Sequence, residues 1–171
     1  GAGFVLADEV WLDELDVGCS SCGWQSTLRN KSVAGGPLQF GGKTYARGIG
    51  THSPGVFRID LYGEATRFTA LAGVNDTGMD TGSAEFIVKG DGKVLWRSGV
   101  MRSGQMPKPI DVRLTGIKQL DLEVTVGGDG YSHDHTDWVN AKIEYGSKKP
   151  KAVPLTGTAT VARTEGKRGQ P

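Results

Sequence analysis

The stretch "AEFIVKGDGKVLWRSG", residues 84–99, decides the fold. Phe86-Ile87-Val88 and Val94-Leu95-Trp96 are short apolar runs of β-branched and aromatic side chains, which favour a pleated, half-buried surface. Between them Gly90-Asp91-Gly92 supplies a turn whose backbone needs positive φ. The spacing predicts a hairpin, and the neighbouring segments repeat its pattern. "GVFRIDLYG" (55–63) sets Phe57, Ile59 and Leu61 against Val56, Arg58 and Asp60 with period two. "TRFTALAGV" (66–74) carries Phe68, Ala70 and Ala72 on one face and Leu71 on the other. "KPIDVRLTG" (108–116) points Ile110, Val112 and Leu114 inward. "QLDLEVTVGG" (119–128) places Leu120, Leu122, Val124 and Val126 on one face, and "DWVNAKIEYG" (137–146) closes with Trp138, Ala141 or Ile143, and Tyr145. Trp11 and Trp96 fall within strand patterns and are expected in the core.

Six or more short strands at spacings of about ten residues, each bounded by turn residues, predict an all-β antiparallel sandwich or barrel. Only "ADEVWLDELD" (7–16) has a helical alternative, and it reads equally well as a strand with a polar turn. Nothing alternates with helices, which excludes a parallel α/β sheet. The 27 glycines are scattered between apolar stretches, as many tight turns require. No run of 18 apolar residues exists, so no membrane span is expected. No basic segment with an apolar stretch opens the chain, so any secretion signal is expected to lie outside it.

Charge is uneven. Residues 147–171 hold six Lys/Arg and one acid, whereas residues 1–146 hold 14 basic and 18 acidic groups. A mildly acidic body does not suit a phosphate backbone, so no nucleic-acid partner is expected. Composition shifts to a Lys/Pro-rich segment near Gly146. The expected division is a domain over 1–146 and a basic linker or tail over 147–171, with "TATVAR" as one possible extra strand. Both cysteines sit in "CSSC" (19–22). A second cysteine pair for zinc is missing, and the loop chemistry that follows does not fit a thioredoxin-like motif. A short-range disulfide in an exported protein is the preferred reading, with two free thiols as the alternative.

Three loops concentrate polar and aromatic residues: "GCSSCGWQ", "GGKTYARGIGTHSPG" (41–55) and "GGDGYSHDHTDW" (127–138), the last preceded by the acidic "GVNDTGMDTGS" (73–83). In order with "VWLDELD" near the start and "GW" at 23–24, the combination of "KTYARGIGTH" and "GDG…HTDW" resembles the NPCBM family, also called carbohydrate-binding module family 51. The resemblance covers about residues 8–146. It implies a galactose-binding-like jelly-roll sandwich that binds galactose-type sugars through loops at one end. It also implies a secreted or cell-surface setting, linkage to further domains such as a glycoside hydrolase, and in some members a structural calcium ion.

Trp24 and Tyr45 are candidate stacking platforms for a pyranose, each with a core alternative. His52 either hydrogen-bonds a ligand or holds a neighbouring loop; no recognisable nucleophile stands beside it for base catalysis. Asn75 and Asp76 either form an Asx-turn or bracket a sugar diol. Tyr131, His133 and Asp134 are candidates for ligand hydrogen bonds. On a strand His133 and His135 would share a face with Asp134 and Trp138 opposite, and "HDH" lacks a third ligand for zinc. Asp137 and Trp138 are expected to anchor the last strand. Calcium needs six to eight oxygens; Asp13 and Asp16 in "LDELD", or the "NDTGMD" loop, are its candidates, without the spacing of an EF-hand. No catalytic residue is assigned. The expected function is a non-catalytic carbohydrate-binding module. The competing readings are a protein-interaction sandwich that has lost its sugar site, and a small hydrolase using Asp134 with Asp137.

Overall fold

The computed structural model describes residues 7–128 and 133–155, without the side chains of 78–80. Among these residues are thirteen strands. They are β1 (Asp8–Trp11), β2 (Leu28–Arg29), β3 (Leu38–Phe40), β4 (Lys43–Tyr45), β5 (Gly48–His52), β6 (Gly55–Asp60) and β7 (Ala65–Val74), followed by β8 (Ser83–Gly90), β9 (Lys93–Arg102), β10 (Lys108–Arg113), β11 (Gln119–Val126), β12 (His135–Tyr145) and β13 (Lys151–Ala152). One sheet runs β10-β7-β12-β5-β2, with β1 also on β12; the other runs β13-β6-β11-β8-β9; β3 and β4 form a separate hairpin. Every pairing in the two sheets is antiparallel. The two sheets enclose one core, and the fold is the antiparallel β-sandwich expected from the strand pattern.

The hairpin at 84–99 turns at Asp91-Gly92, both with positive φ. The 7–16 segment resolves as strand β1 and then a 3-10 turn over Leu12–Glu14. Strand β5 lacks the apolar alternation of the others, yet all five of its residues are buried. Trp11 departs from expectation. It is half-buried, not in the core, with the Arg47 guanidinium 4.1 Å and the Lys142 ammonium 5.6 Å from its ring centre. Trp96 is partly buried against the core, and Val126, the last residue of β11, is 40% exposed.

Strand β12 resolves the ambiguity at its own centre. Four residues, Val139 to Lys142, span what three residues of β7, Leu71 to Thr69, span, and Asn140 takes φ 48°. That bulge shifts the side-chain phase by one. Trp138, Ala141 and Ile143 therefore all point inward, where strict alternation would send Trp138 and Ala141 to opposite faces. Trp138 meets Phe86 edge-on at 5.2 Å and Phe68 at 6.3 Å, bridging the two sheets. The β3–β4 hairpin covers the other face of β12, where Leu38, Phe40 and Val139 form a second apolar cluster with Leu71 and Tyr45.

Beyond Gly146 the chain turns back, and Lys151–Ala152 pairs with Asp60 and Ile59 of β6, burying Ala152 in the core. "TATVAR" lies outside the described residues. Replacing Trp138 with alanine should cost about 3–5 kcal/mol by leaving a cavity between the sheets. Urea unfolding of the variant, with an unchanged m-value, checks this.

Candidate functional site

The site is built where β5 and β12 end. His52 and His135 are cross-strand partners in an antiparallel pair, so their side chains share the outer face. The loop over 18–27 is clamped onto this end through a contact only glycine permits: a Cβ on Gly23 would fall 2.1 Å from the Ser53 carbonyl oxygen. The Gly23 N–H donates to the His52 carbonyl at 3.0 Å. Below, Ser20, Thr27 and Thr51 are joined by a chain of hydroxyl hydrogen bonds at 2.7 and 3.0 Å. Trp24 is thereby laid against both imidazoles. Its ring stacks on His135 at 5.5 Å and 10°, and meets His52 edge-on at 5.9 Å; the two imidazoles are 5.5 Å apart. A cleft of about 450 Å³ lined by Val17, Ser20, Cys22 and Trp24 runs along the same loop.

His52 is fully buried and His135 is 4% exposed. Burial pushes the His52 imidazole below its ordinary value, with the nearby His133 adding to that and the Ser53 carbonyl opposing it. His135 is pushed down to about 4, by burial first and then by His52 and His133. Both rings are neutral at physiological pH. His52 Nδ1 contacts the Ser53 carbonyl at 2.6 Å and His135 Nδ1 contacts Thr77 Oγ1 at 3.1 Å, but neither Nε2 has a hydrogen-bond partner among the described residues.

Of the residues singled out from sequence, Trp24 and His52 meet here. Tyr45 does not: it packs on Phe40 at 5.6 Å beneath the Lys43 ammonium, beside Val139. Four residues of β12, about 13 Å of strand, separate that position from His135. Asn75 is buried and fully engaged. Its side-chain N–H groups donate to Pro37 O and to Asp137, and its Oδ1 accepts from the Thr77 N–H and hydroxyl, which is the Asx-turn alternative. Asp76 holds the β3–β4 hairpin by accepting from Gly41, Gly42 and Gln39. Burial alone would raise its pKa, but these three donors together hold it below the usual value. The polar atoms expected to bracket a diol thus serve the scaffold.

Asp134, 1% exposed, accepts from the Ser53 hydroxyl at 2.6 Å and the Ser83 N–H at 2.9 Å, tying β12 to the β5–β6 turn and to β8. His133 precedes the strand with φ 62° and contacts Thr81 Oγ1, so it does not share a strand face with His135. Tyr131 lies outside the described residues. His135 was not among the sequence candidates; treating "HDH" as uninterrupted strand hid that the strand begins only at the second histidine, opposite His52.

In the acidic "LDELD", Asp13 and Asp16 are engaged within the protein. Both oxygens of Asp13 are gripped by the Arg47 guanidinium at 2.7 and 2.9 Å, and Asp16 caps the turn over Val17–Cys19 by accepting from Gly18 N–H. The expected disulfide is corrected as well: both thiols are free, Cys19 turning to the Asp16 carboxylate and Cys22 to the Trp24 carbonyl. Burial and Asp16 raise the Cys19 pKa.

The outer face of β12 holds one more buried acid. Asp137 accepts from Asn75, while its Oδ1 has no hydrogen-bond partner. Complete burial lifts its pKa from 3.8 to about 8, against the pull of Asn75 and the Gln39 N–H, with Asp76 adding to the rise. Trp138 beside it fills the core.

The NPCBM/NEW2 domain family matches residues 8–144. A Renibacterium salmoninarum protein provisionally named an endo-alpha-N-acetylgalactosaminidase is 35% identical over 133 residues, covering 74% of this chain and 9% of that protein. This chain thus spans about a tenth of that relative's length. Among solved structures, the CBM51 of Clostridium perfringens GH95 in complex with methyl-galactose superposes with a TM-score of 0.73 at 28% identity, covering 80% of this chain and 99% of that one. CBM51-2 of C. perfringens ZmpB, in complex with GlcNAc, gives 0.75 at 26% identity over 84% of this chain and 33% of that one.

The buried acid sets a pH dependence. A group whose folded pKa is raised contributes stability that is fully present below its unfolded value of 3.8 and is lost as pH rises through about 8. Asp137→Asn removes this loss. Its stability relative to the parent should therefore climb between pH 4 and 8, by at most about 1.4 kcal/mol per pH unit, and level off above. Thermal unfolding of both proteins across that range measures the difference.

Proposed function

The chain belongs to the NPCBM/NEW2 domain family, and from that premise we propose that it is a non-catalytic carbohydrate-binding module recognising galactose-type glycans. The observation that carries this reading is the pair of neutral imidazoles, His52 and His135, with unpartnered Nε2 atoms against the Trp24 ring. An aromatic face beside uncharged polar atoms suits a neutral sugar, whose C–H patch packs on the ring while its hydroxyls hydrogen-bond. The C. perfringens CBM51 that resembles this chain over nearly its whole length is in complex with methyl-galactose, which supports the same ligand class.

The carboxylates of this region argue for binding over turnover. Glycoside hydrolysis uses two carboxyl groups flanking the bond. Here Asp134 is sealed by Ser53 and Ser83, and Asp137 is fully buried. The module's role would be to hold a linked catalytic domain, such as a glycoside hydrolase outside the cell, near its glycan. No helix among the described residues is long and apolar enough to cross a membrane. A protein-interaction module is the second reading, favoured by the way loop 18–27 covers both imidazoles.

Titration calorimetry with methyl galactoside should give a dissociation constant on the order of 10–1000 μM, because a small exposed ligand offers few atoms to desolvate. Trp24→Ala and His135→Ala should each weaken binding tenfold or more, whereas Tyr45→Ala should leave it within twofold. Silence across a broad glycan array would favour the interaction module, and sustained release from a chromogenic galactoside would overturn the non-catalytic reading.

A further inference from the structure

The position of each imidazole proton follows from what its Nδ1 touches. His52 Nδ1 faces the Ser53 carbonyl oxygen, which can only accept, so the hydrogen is on Nδ1. His135 Nδ1 faces Thr77 Oγ1, and there the answer depends on one residue more. The Thr77 hydroxyl has a single hydrogen, directed 2.7 Å away to Asn75 Oδ1. That atom is the amide oxygen, because it also accepts the Thr77 backbone N–H and the opposite end of the amide donates to Pro37 O. With its hydrogen committed, Thr77 accepts from His135, and Nδ1 is again the protonated nitrogen. Burial keeps both rings neutral. Each Nε2 therefore carries a bare lone pair, and both are buried without a donor.

Two such acceptors on facing strands, with no donor among the described residues, form a specific chemical demand. A buried acceptor left unmatched is costly, and a ligand bringing the missing donors recovers that cost. We propose that His52 Nε2 and His135 Nε2 act as a paired acceptor that selects ligands with two neighbouring hydroxyl donors, and that Thr77 is the positioning residue that fixes the His135 tautomer. This rests on the sugar-binding reading and specifies the selection rule of that site. The Trp24 ring covers the nitrogens in the free domain, so a ligand reaches them by shifting that ring and then packing against it. A hydroxyl donates where its methyl ether or its deoxy analogue cannot, so the site distinguishes sugars by their O–H hydrogens, not by their oxygens.

Two measurements on the domain test this separately. Nitrogen-15 NMR of the imidazoles, recorded without ligand, should show protonated Nδ1 and bare Nε2 at both His52 and His135. Thr77→Val should let His135 move its proton to Nε2, the tautomer that free neutral histidine favours, while Thr77→Ser should restore the parent pattern. Calorimetry with methyl galactoside and its singly deoxygenated and singly O-methylated derivatives should show loss of tenfold or more at two adjacent positions. Thr77→Val should lose a similar factor for the parent sugar, and Thr77→Ser should recover it. Protonated Nε2 atoms in the parent protein, or derivatives that all bind within twofold of the parent sugar, would overturn the paired acceptor while leaving sugar binding intact. Absence of binding to any glycan overturns the sugar reading itself and the selection rule with it.

Discussion

Strand β12 is the element on which the rest depends, and the constraint it satisfies is burial on both faces at once. Its inner face supplies Trp138, Ala141 and Ile143 to the inter-sheet core. Its outer face is covered at one end by Trp24 on His135 and further along by the β3–β4 hairpin on Val139. A strand of strict alternation could not bring Trp138 and Ala141 to the same side. The extra residue between Val139 and Lys142 reconciles the two halves and lets the histidine end and the tyrosine end of one strand present different residues to different neighbours.

Between the apolar core and the imidazoles lies a buried polar chain: Asp137, Asn75, Thr77, His135. In a low-dielectric interior such chains orient one another strongly, and an unmatched member is costly. Here every link from Asp137 to the His135 ring is made, and the unmatched atoms are left at the ends, on Asp137 Oδ1 and the imidazole Nε2 atoms. Asp76 fixes the adjacent hairpin through backbone N–H groups, so this carboxylate acts as scaffold for the site. The same logic applies at Asp13, whose carboxylate is matched by Arg47 in a two-point grip that suits a planar guanidinium.

Most strands were legible because alternation over six to nine residues is a strong signal, as in Phe57, Ile59 and Leu61 or Ile110, Val112 and Leu114. Strand β5 was not, because "GIGTH" offers glycines where a side chain would collide with backbone, at Gly50 with Lys31 and Ser32 and at Gly48 with Trp138 and Val139, so close backbone approach replaced the apolar pattern. Trp24 and His52 were legible as candidates because aromatic and imidazole side chains in glycine-rich loops have few other uses. His135 was hidden by the assumption that "HDH" forms one strand, which the left-handed backbone of His133 breaks. The scaffold roles of Asn75, Asp76 and Asp134 depend on partners 34 to 81 residues away, contacts that no local pattern encodes. Trp11 misled for a related reason: its strand position was read as inward, but cations from β12 and the segment before β5 hold it on the outside.

The return of Lys151–Ala152 onto β6 has a geometric consequence. It pairs with the Asp60 end of that strand, while the imidazoles sit just before its Gly55 start, about 17 Å away along the strand axis. Because the pairing is antiparallel, Lys151 to Val153 runs back along β6 from Asp60 toward Arg58, in the direction of the histidine pole. The same pairing takes up the backbone of β6 at Ile59 and Asp60, an edge that could otherwise accept a strand from another molecule.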